Sequence, residues 1–206
     1  MRTWSVEDLV TEARRLVVPG ERRILGITGA PGAGKSTLAA QVVQALGPQS
    51  ALVSMDGFHL ANTELDRLGL RDRKGSPDTF DASGYVALLR RLRHRRDDIV
   101  YAPIFDRTLD ESVGSAVPVA RAVPLVVTEG NFILHDTAHW RDVGGLLDEC
   151  WYVEIDANTR VARLAARHEK FGRSPEDALA WANGTDAGNA LIVERSKPRA
   201  TLIVQL

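Results

Sequence analysis

The run Gly26-Ile27-Thr28-Gly29-Ala30-Pro31-Gly32-Ala33-Gly34-Lys35-Ser36-Thr37-Leu38 constrains this chain more than any other segment. Its core has the spacing G-x-x-x-x-G-K-S, and both flanks agree with a strand, loop and helix in order. Arg22 to Ile27 reads as a buried strand leading in, and Leu38 to Leu46 as a helix leading out. Glycines at 29, 32 and 34 let the backbone curl so that several N–H groups face one polyphosphate. The following helix adds the positive end of its dipole at the same point. The expected nucleotide-binding residues are therefore Gly29, Ala30, Pro31, Gly32, Ala33, Gly34, Lys35, Ser36 and Thr37. Lys35 supplies a mobile cation for the outer phosphates, and the Ser36 hydroxyl a ligand for Mg²⁺. The segment implies a site for a nucleoside triphosphate.

Further apolar runs place this loop in a larger pattern. Ala51 to Met55, Pro124 to Thr128, Cys150 to Ile155 and Thr201 to Val204 read as strands, and Tyr85–Arg96 and Asn158–Lys170 as helices between them. Ser5 and Asp8 have the spacing of a capping box before a helical stripe at Val6, Leu9, Val10, Ala13, Leu16 and Val17. Strands alternating with helices predict an α/β fold, a parallel sheet sandwiched by helices. At 206 residues the chain suits one domain with a sizeable core, spanning 1–206.

The formal net charge of −1 offers no global field toward nucleic acid or membrane. The opening Met1-Arg2-Thr3-Trp4-Ser5-Val6-Glu7-Asp8 is charged too early for a secretory leader, and no apolar run is long enough to span a bilayer. Cys150 is the single cysteine and lies in an apparent strand, which fits a buried thiol in a reducing compartment. The expectation is a cytoplasmic protein without nucleic-acid partners or membrane insertion, with homo-oligomerisation left open. The basic run Arg90-Arg91-Leu92-Arg93-His94-Arg95-Arg96 reads as a solvated helix face, because Asp97 and Asp98 follow and no aromatic residues interleave for base stacking.

In open parallel sheets ligands sit beyond the carboxyl ends of the strands. Asp56 and Glu129 each follow a strand directly, which brings both beside the phosphate loop. Asp56 can accept a proton from an attacking hydroxyl or hold a metal through water. Glu129 stands where a second acidic group would sit near Mg²⁺. Arg160, Arg163 and Arg167 are spaced i, i+3, i+7 on one helix face. With Phe171-Gly172-Arg173-Ser174-Pro175 behind them, they suggest a short lid over about 160–176 that closes guanidinium groups over a transferring phosphoryl. Asp186-Ala187-Gly188-Asn189 reads as a helix start capped by Asp186. A phosphate loop alone does not separate a kinase from a switch ATPase; no N-K-x-D or L-S-G-G-Q run is present to favour the latter.

Four segments together resemble the P-loop kinases of the phosphoribulokinase, uridine kinase and pantothenate kinase superfamily. They are Gly29 to Thr37, Ser54-Met55-Asp56-Gly57-Phe58-His59, Val126-Val127-Thr128-Glu129-Gly130-Asn131, and Arg160 to Arg167. The resemblance implies the P-loop NTPase fold, ATP as donor and Mg²⁺ as cofactor. It also implies Asp56 as base, Lys35, Arg163 and Arg167 as phosphate-contacting catalytic residues, and Ser36 with Glu129 at the metal.

The acceptor is less constrained. Arg73-Lys74-Gly75-Ser76-Pro77-Asp78-Thr79-Phe80-Asp81 is similar to the R-K-G-x-P-E-S-Y-D segment of pantothenate kinases, whereas uridine kinases carry Asp-His-Pro-Asp there. The whole pattern is most similar to small bacterial proteins of the nucleoside/nucleotide kinase family labelled fructose transport system kinase, which implies a sugar acceptor. Pantothenate, a nucleoside or an acceptor-free switch are the alternatives. His59, Lys74, Asp78 and Arg107 are the expected acceptor-binding residues, with His59 equally readable as structural.

Overall fold

The computed structural model describes residues 3–172 and 174–205, and in it β1 (Arg23–Gly29) is the middle strand of a five-stranded sheet. The order is β2-β5-β1-β6-β7, with β2 (Ser50–Ser54), β5 (Leu125–Glu129), β6 (Glu149–Glu154) and β7 (Leu202–Gln205) all parallel to their neighbours. Burial on both faces explains the unbroken apolar runs of β1 and β5, which alternation would have interrupted.

Successive residues of β1 feed two cores. Leu25 and Ile27 pack on the face covered by α1 (Val6–Arg15) and α2 (Lys35–Leu46), with Leu9, Leu38 and Val42. Ile24 points to the other face, with Tyr85 and Leu89 of α4 (Ala82–His94) and Val193 of α8 (Thr185–Glu194). Gly26 occupies that second face because any Cβ would come within 2.7 Å of the Leu147 side chain. The capping box at Ser5 and Asp8 is present, and α1 ends at Arg15 before the full apolar stripe is used.

Between β2 and β5 the chain makes α3 (Asn62–Leu68), α4 and an antiparallel hairpin of β3 (Ile99–Asp106) and β4 (Glu111–Ala120). The strand reading from the sequence did not include this hairpin. β4 escaped it because Gly114, Ser115 and Pro118 mask the strand signal, and ladder pairing rather than a continuous buried face holds it. Beyond β5 come the short α5 (Arg141–Gly144), α6 (Ala157–Lys170) and α7 (Pro175–Asn183). Asp156 and Ser174 cap the last two through the N–H groups of Thr159 and Asp177. The segment expected as a lid is thus α6, a turn at Phe171 and Gly172, and the start of α7; Arg173 lies outside the described residues.

The basic run forms an exposed, solvated face, as expected, and several of its arginines also tie neighbouring segments. Arg90 pairs with Asp142, Arg91 with Asp97 and Arg93 with the buried Asp148, while Arg95 donates to the carbonyls of Gly20 and Arg121. Cys150 is buried, and burial pushes its thiol well above the usual range. No helix among the described residues is long and apolar enough to cross a membrane.

Candidate active site

Three strand ends and one helix start converge. β2 and β5 finish level at Ser54 and Glu129, opposite Ile27 of β1, which runs on to Gly29. Beyond β1 the loop turns through Gly32 and Gly34, whose φ angles of 81° and 95° are left-handed and suit glycine alone. Gly34 is also the residue before the first turn of α2. Gly29 lies beside Val153 of β6 in the sheet, where a Cβ would meet the Val153 carbonyl oxygen at 2.5 Å.

Lys35 is buried in this curl and its Nζ donates to the Ala30 carbonyl at 2.9 Å. Burial pushes its ammonium down to about 8, against the pull of Glu129 and Asp56. Ser36 Oγ donates to one oxygen of Glu129 at 3.0 Å and Ser54 Oγ to the other at 2.5 Å. Ser54 Oγ in turn accepts from the Asp56 backbone N–H at 3.2 Å, so one hydroxyl links the Glu129 carboxylate to the backbone of Asp56. Burial, with the Asp56 charge adding to it, holds the Glu129 carboxyl above the usual range despite these donors.

Among the described residues no three His, Cys, Asp or Glu side chains converge on one point. The oxygen donors at hand are Ser36 and Glu129. That set suits a hard cation that draws its other ligands from phosphate oxygens and water, as Mg²⁺ does.

Two cavities open from this centre. The larger, about 880 Å³, runs from the loop residues Gly32 to Thr37 past Gln41, Ile155, Thr159, Arg163 and Gln205. The other, about 490 Å³, is lined by Asp56, His59, Arg71, Lys74, Asn131, Asp186 and Asn189 among others. Both are bounded by Gly32, Lys35, Ser36, Arg107, Arg167 and Phe171.

The arginine helix divides. Arg163 and Arg167 line the cavities, whereas Arg160 is buried and reaches neither. Arg160 therefore corrects the expectation of three arginines on one open face: it is spent inside the fold, with its Nη1 lacking a hydrogen-bond partner.

The expected acceptor residues also divide. His59 is clamped between Phe80 and Phe105, with ring centroids 4.0 and 4.6 Å away. Its Nδ1 lies 2.8 Å from the Asp56 carbonyl, which can only accept, so Nδ1 carries the proton and Nε2 is left as an acceptor. Burial lowers its pKa and keeps the ring neutral. Lys74 lines the smaller cavity, but its ammonium already donates to Asn62 Oδ1 and to two oxygens of Asp110. It pins the hairpin tip more than it offers a free donor. Asp78 is not brought to either cavity; it pairs with Arg73 at 2.6 Å on the surface. Arg107 lies 3.6 Å from Asp56 and borders both cavities.

Phe171 stands in the segment read from the sequence as a lid, whereas that reading did not single out His168, Trp181 or Asp110 on these walls. No motif marks them, and they arrive only because α6, α7 and the hairpin tip fold over the strand ends. His168 Nε2 lies 2.8 Å from Asp186 Oδ2, so Asp186 joins α8 to α6 instead of capping its own helix. Asn189 donates to the Gly75 carbonyl at 3.1 Å.

The profile of the Phosphoribulokinase / Uridine kinase family matches residues 24–206. A candidate uridine kinase of Schizosaccharomyces pombe is 30% identical over 212 residues, covering 98% of this chain and 90% of that one. A pantothenate kinase of Nocardioides sp. is 31% identical over 150 residues, covering 68% of this chain and 45% of that one. Among solved structures, a candidate fructose transport system kinase from Silicibacter sp. TM1040 superposes with a TM-score of 0.88 at 34% identity, over 97% of this chain and 98% of that one.

Proposed function

Because the chain belongs to the Phosphoribulokinase / Uridine kinase family and is a kinase, we propose that it moves the γ-phosphoryl of ATP, with Mg²⁺, to a hydroxyl of a small polar metabolite, a fructose-type sugar. The observation that carries this reading is the pair of cavities meeting at Lys35 and Ser36, with Asp56 lining only the smaller one. A nucleotide compartment and an acceptor compartment are what phosphoryl transfer needs; a switch ATPase needs only the first.

In this scheme Gly29 to Thr37 cradle the phosphates in the larger cavity. Asp56 takes the proton of the acceptor hydroxyl, whose oxygen bonds to the γ-phosphorus as the bond to the β–γ bridging oxygen breaks and ADP leaves. Lys35, Arg163 and Arg167 neutralise charge on the phosphates. Ser36 and Glu129 would hold Mg²⁺, which would supply further neutralisation of the phosphate charge. The His59 acceptor nitrogen, Asp186 and Asn131 offer the mixed hydrogen-bonding wall a polyol requires, beside the faces of Phe80 and Phe105.

The test is ADP release from ATP and Mg²⁺ against sugars, pantothenate and nucleosides. Strong stimulation by one sugar is expected, and Asp56→Ala should abolish it while ATP still binds. Turnover retained in that variant would remove Asp56 as the base, and stimulation by pantothenate or a nucleoside alone would replace the sugar.

A further inference from the structure

Arg107 stands apart from the other acceptor-side residues. It is the first residue of the hairpin turn and faces both cavities, whereas His59 and Lys74 line only the smaller. Three cations thus border the junction from three separate elements: Lys35 from α2, Arg167 from α6 and Arg107 from the hairpin tip. Arg107 and Arg167 are close enough that their charges oppose each other, with Asp56 and Asp186 as the nearby anions.

The tip that carries Arg107 is held in place. Asp106 Oδ1 accepts from the N–H groups of Thr108 and Leu109, Lys74 grips Asp110, and Glu111 accepts from the Asn62 N–H at 3.0 and 3.2 Å. The side chain itself is loosely tied. Its ion pair to Asp56, the one it makes among the described residues, spans 3.6 Å with the arginine side chain 46% exposed. An anchored backbone with a releasable guanidinium is the arrangement expected of a group that changes partner.

We propose that Arg107 is a phosphoryl-contacting residue: in the empty site it pairs with Asp56, and when a nucleoside triphosphate enters it leaves Asp56 for the terminal phosphate opposite Arg167. The exchange places a second guanidinium on the transferring group and uncovers the Asp56 carboxylate for the acceptor hydroxyl. A forked guanidinium suits this task better than an ammonium, because it can bond two phosphate oxygens at once. The proposal rests on the reading of the larger cavity as the nucleotide site.

Calorimetric titration tests it without knowledge of the acceptor. Wild type, Arg107→Met and Arg107→Lys are titrated with Mg²⁺–ADP and with the Mg²⁺ complex of an imido-bridged, non-hydrolysable ATP analogue. The expected result is a loss of roughly 10- to 100-fold in analogue affinity for Arg107→Met with ADP affinity unchanged, and a smaller selective loss for Arg107→Lys. Equal losses for both nucleotides, or none, would overturn the proposal and leave Arg107 as an acceptor or structural residue. If Arg107→Met does not fold, the selective loss in Arg107→Lys decides alone. Wild type binding neither nucleotide would overturn the nucleotide-site reading itself, and this role with it.

Discussion

The hydroxyl of Ser36 lies 3.0 Å from a carboxylate oxygen of Glu129, joining the first turn of α2 to the end of β5. The two residues are 93 positions apart in the chain. Their meeting follows from the strand order, which sets β5 directly beside the strand that feeds the phosphate loop. Glu129→Gln keeps the shape and an oxygen acceptor for one of the two serines, turns an NH₂ toward the other and removes the charge. The Mg²⁺ concentration that half-saturates nucleotide binding should rise about 10- to 100-fold. A Mg²⁺ titration of nucleotide affinity checks this, and an unchanged midpoint would remove Glu129 from the metal.

Lys35 gives a pH dependence with a definite sign. Its ammonium is lowered from 10.5 to about 8 by burial, so between those values the folded chain binds fewer protons than the unfolded one. Stability therefore rises with pH across that window instead of falling. Phosphate arriving beside Lys35 restores the charged form. Nucleotide binding at pH 8.5 should take up a large fraction of one proton, and affinity should weaken as pH climbs through about 8. Titrations in two buffers of different ionisation heat count the proton; an uptake of zero would contradict the assignment.

Thr128 and Tyr85 test the core behind the site. The Tyr85 hydroxyl lies 2.6 Å from Thr128 Oγ1, which donates to the Val53 carbonyl at 2.7 Å, so the tyrosine is the donor in that pair. Both side chains are fully buried. Thr128→Val keeps the volume but strands the hydroxyl, at a cost of about 1–3 kcal/mol. Adding Tyr85→Phe should recover part of that loss, because neither partner then remains unpaired. Urea unfolding of the two single variants and the double variant measures the coupling, and simple additivity would refute it.

Asp148 governs acid stability. Burial works against its charge, but hydrogen bonds from Arg93, Arg23 and the Ile24 N–H outweigh it and hold the carboxyl below its usual value. A depressed carboxylate stabilises the fold above its unfolded pKa and loses that contribution as pH falls through the folded one. Asp148→Asn should lower stability by about 2 kcal/mol near pH 7. The gap to wild type should begin to narrow below about pH 4, where the unfolded carboxylate takes up its proton, and close as pH falls on through the depressed native value. Thermal unfolding from pH 3 to 7 follows the two curves; a constant gap would mean that the charge is not what matters.

Much of the site could be read from the chain because its parts are short and contiguous. Gly29 to Thr37 is one loop whose conformation depends on its own glycines. Asp56 and Glu129 could be placed because each follows a strand, and parallel strands present their carboxyl ends on one side. The helix of arginines was equally legible as a helix, but not as a set of roles. Spacing puts Arg160, Arg163 and Arg167 on one face, while packing decides which of them is buried. Asp78 shows the same limit. It lies in a motif-like segment, yet its turn points it at Arg73.

From the sequence alone came the α/β alternation, the phosphate loop and the acidic strand ends. Each is written in local spacing and in the apolar runs that a doubly covered sheet demands. The tertiary structure alone decided that Arg107 reaches Asp56, that His168 meets Asp186, that Lys74 is consumed by Asp110, and that the hairpin closes the second cavity. Those pairs join separate elements, and whether two side chains meet across such a distance depends on how helices and hairpin pack over the strand ends, which no local pattern encodes.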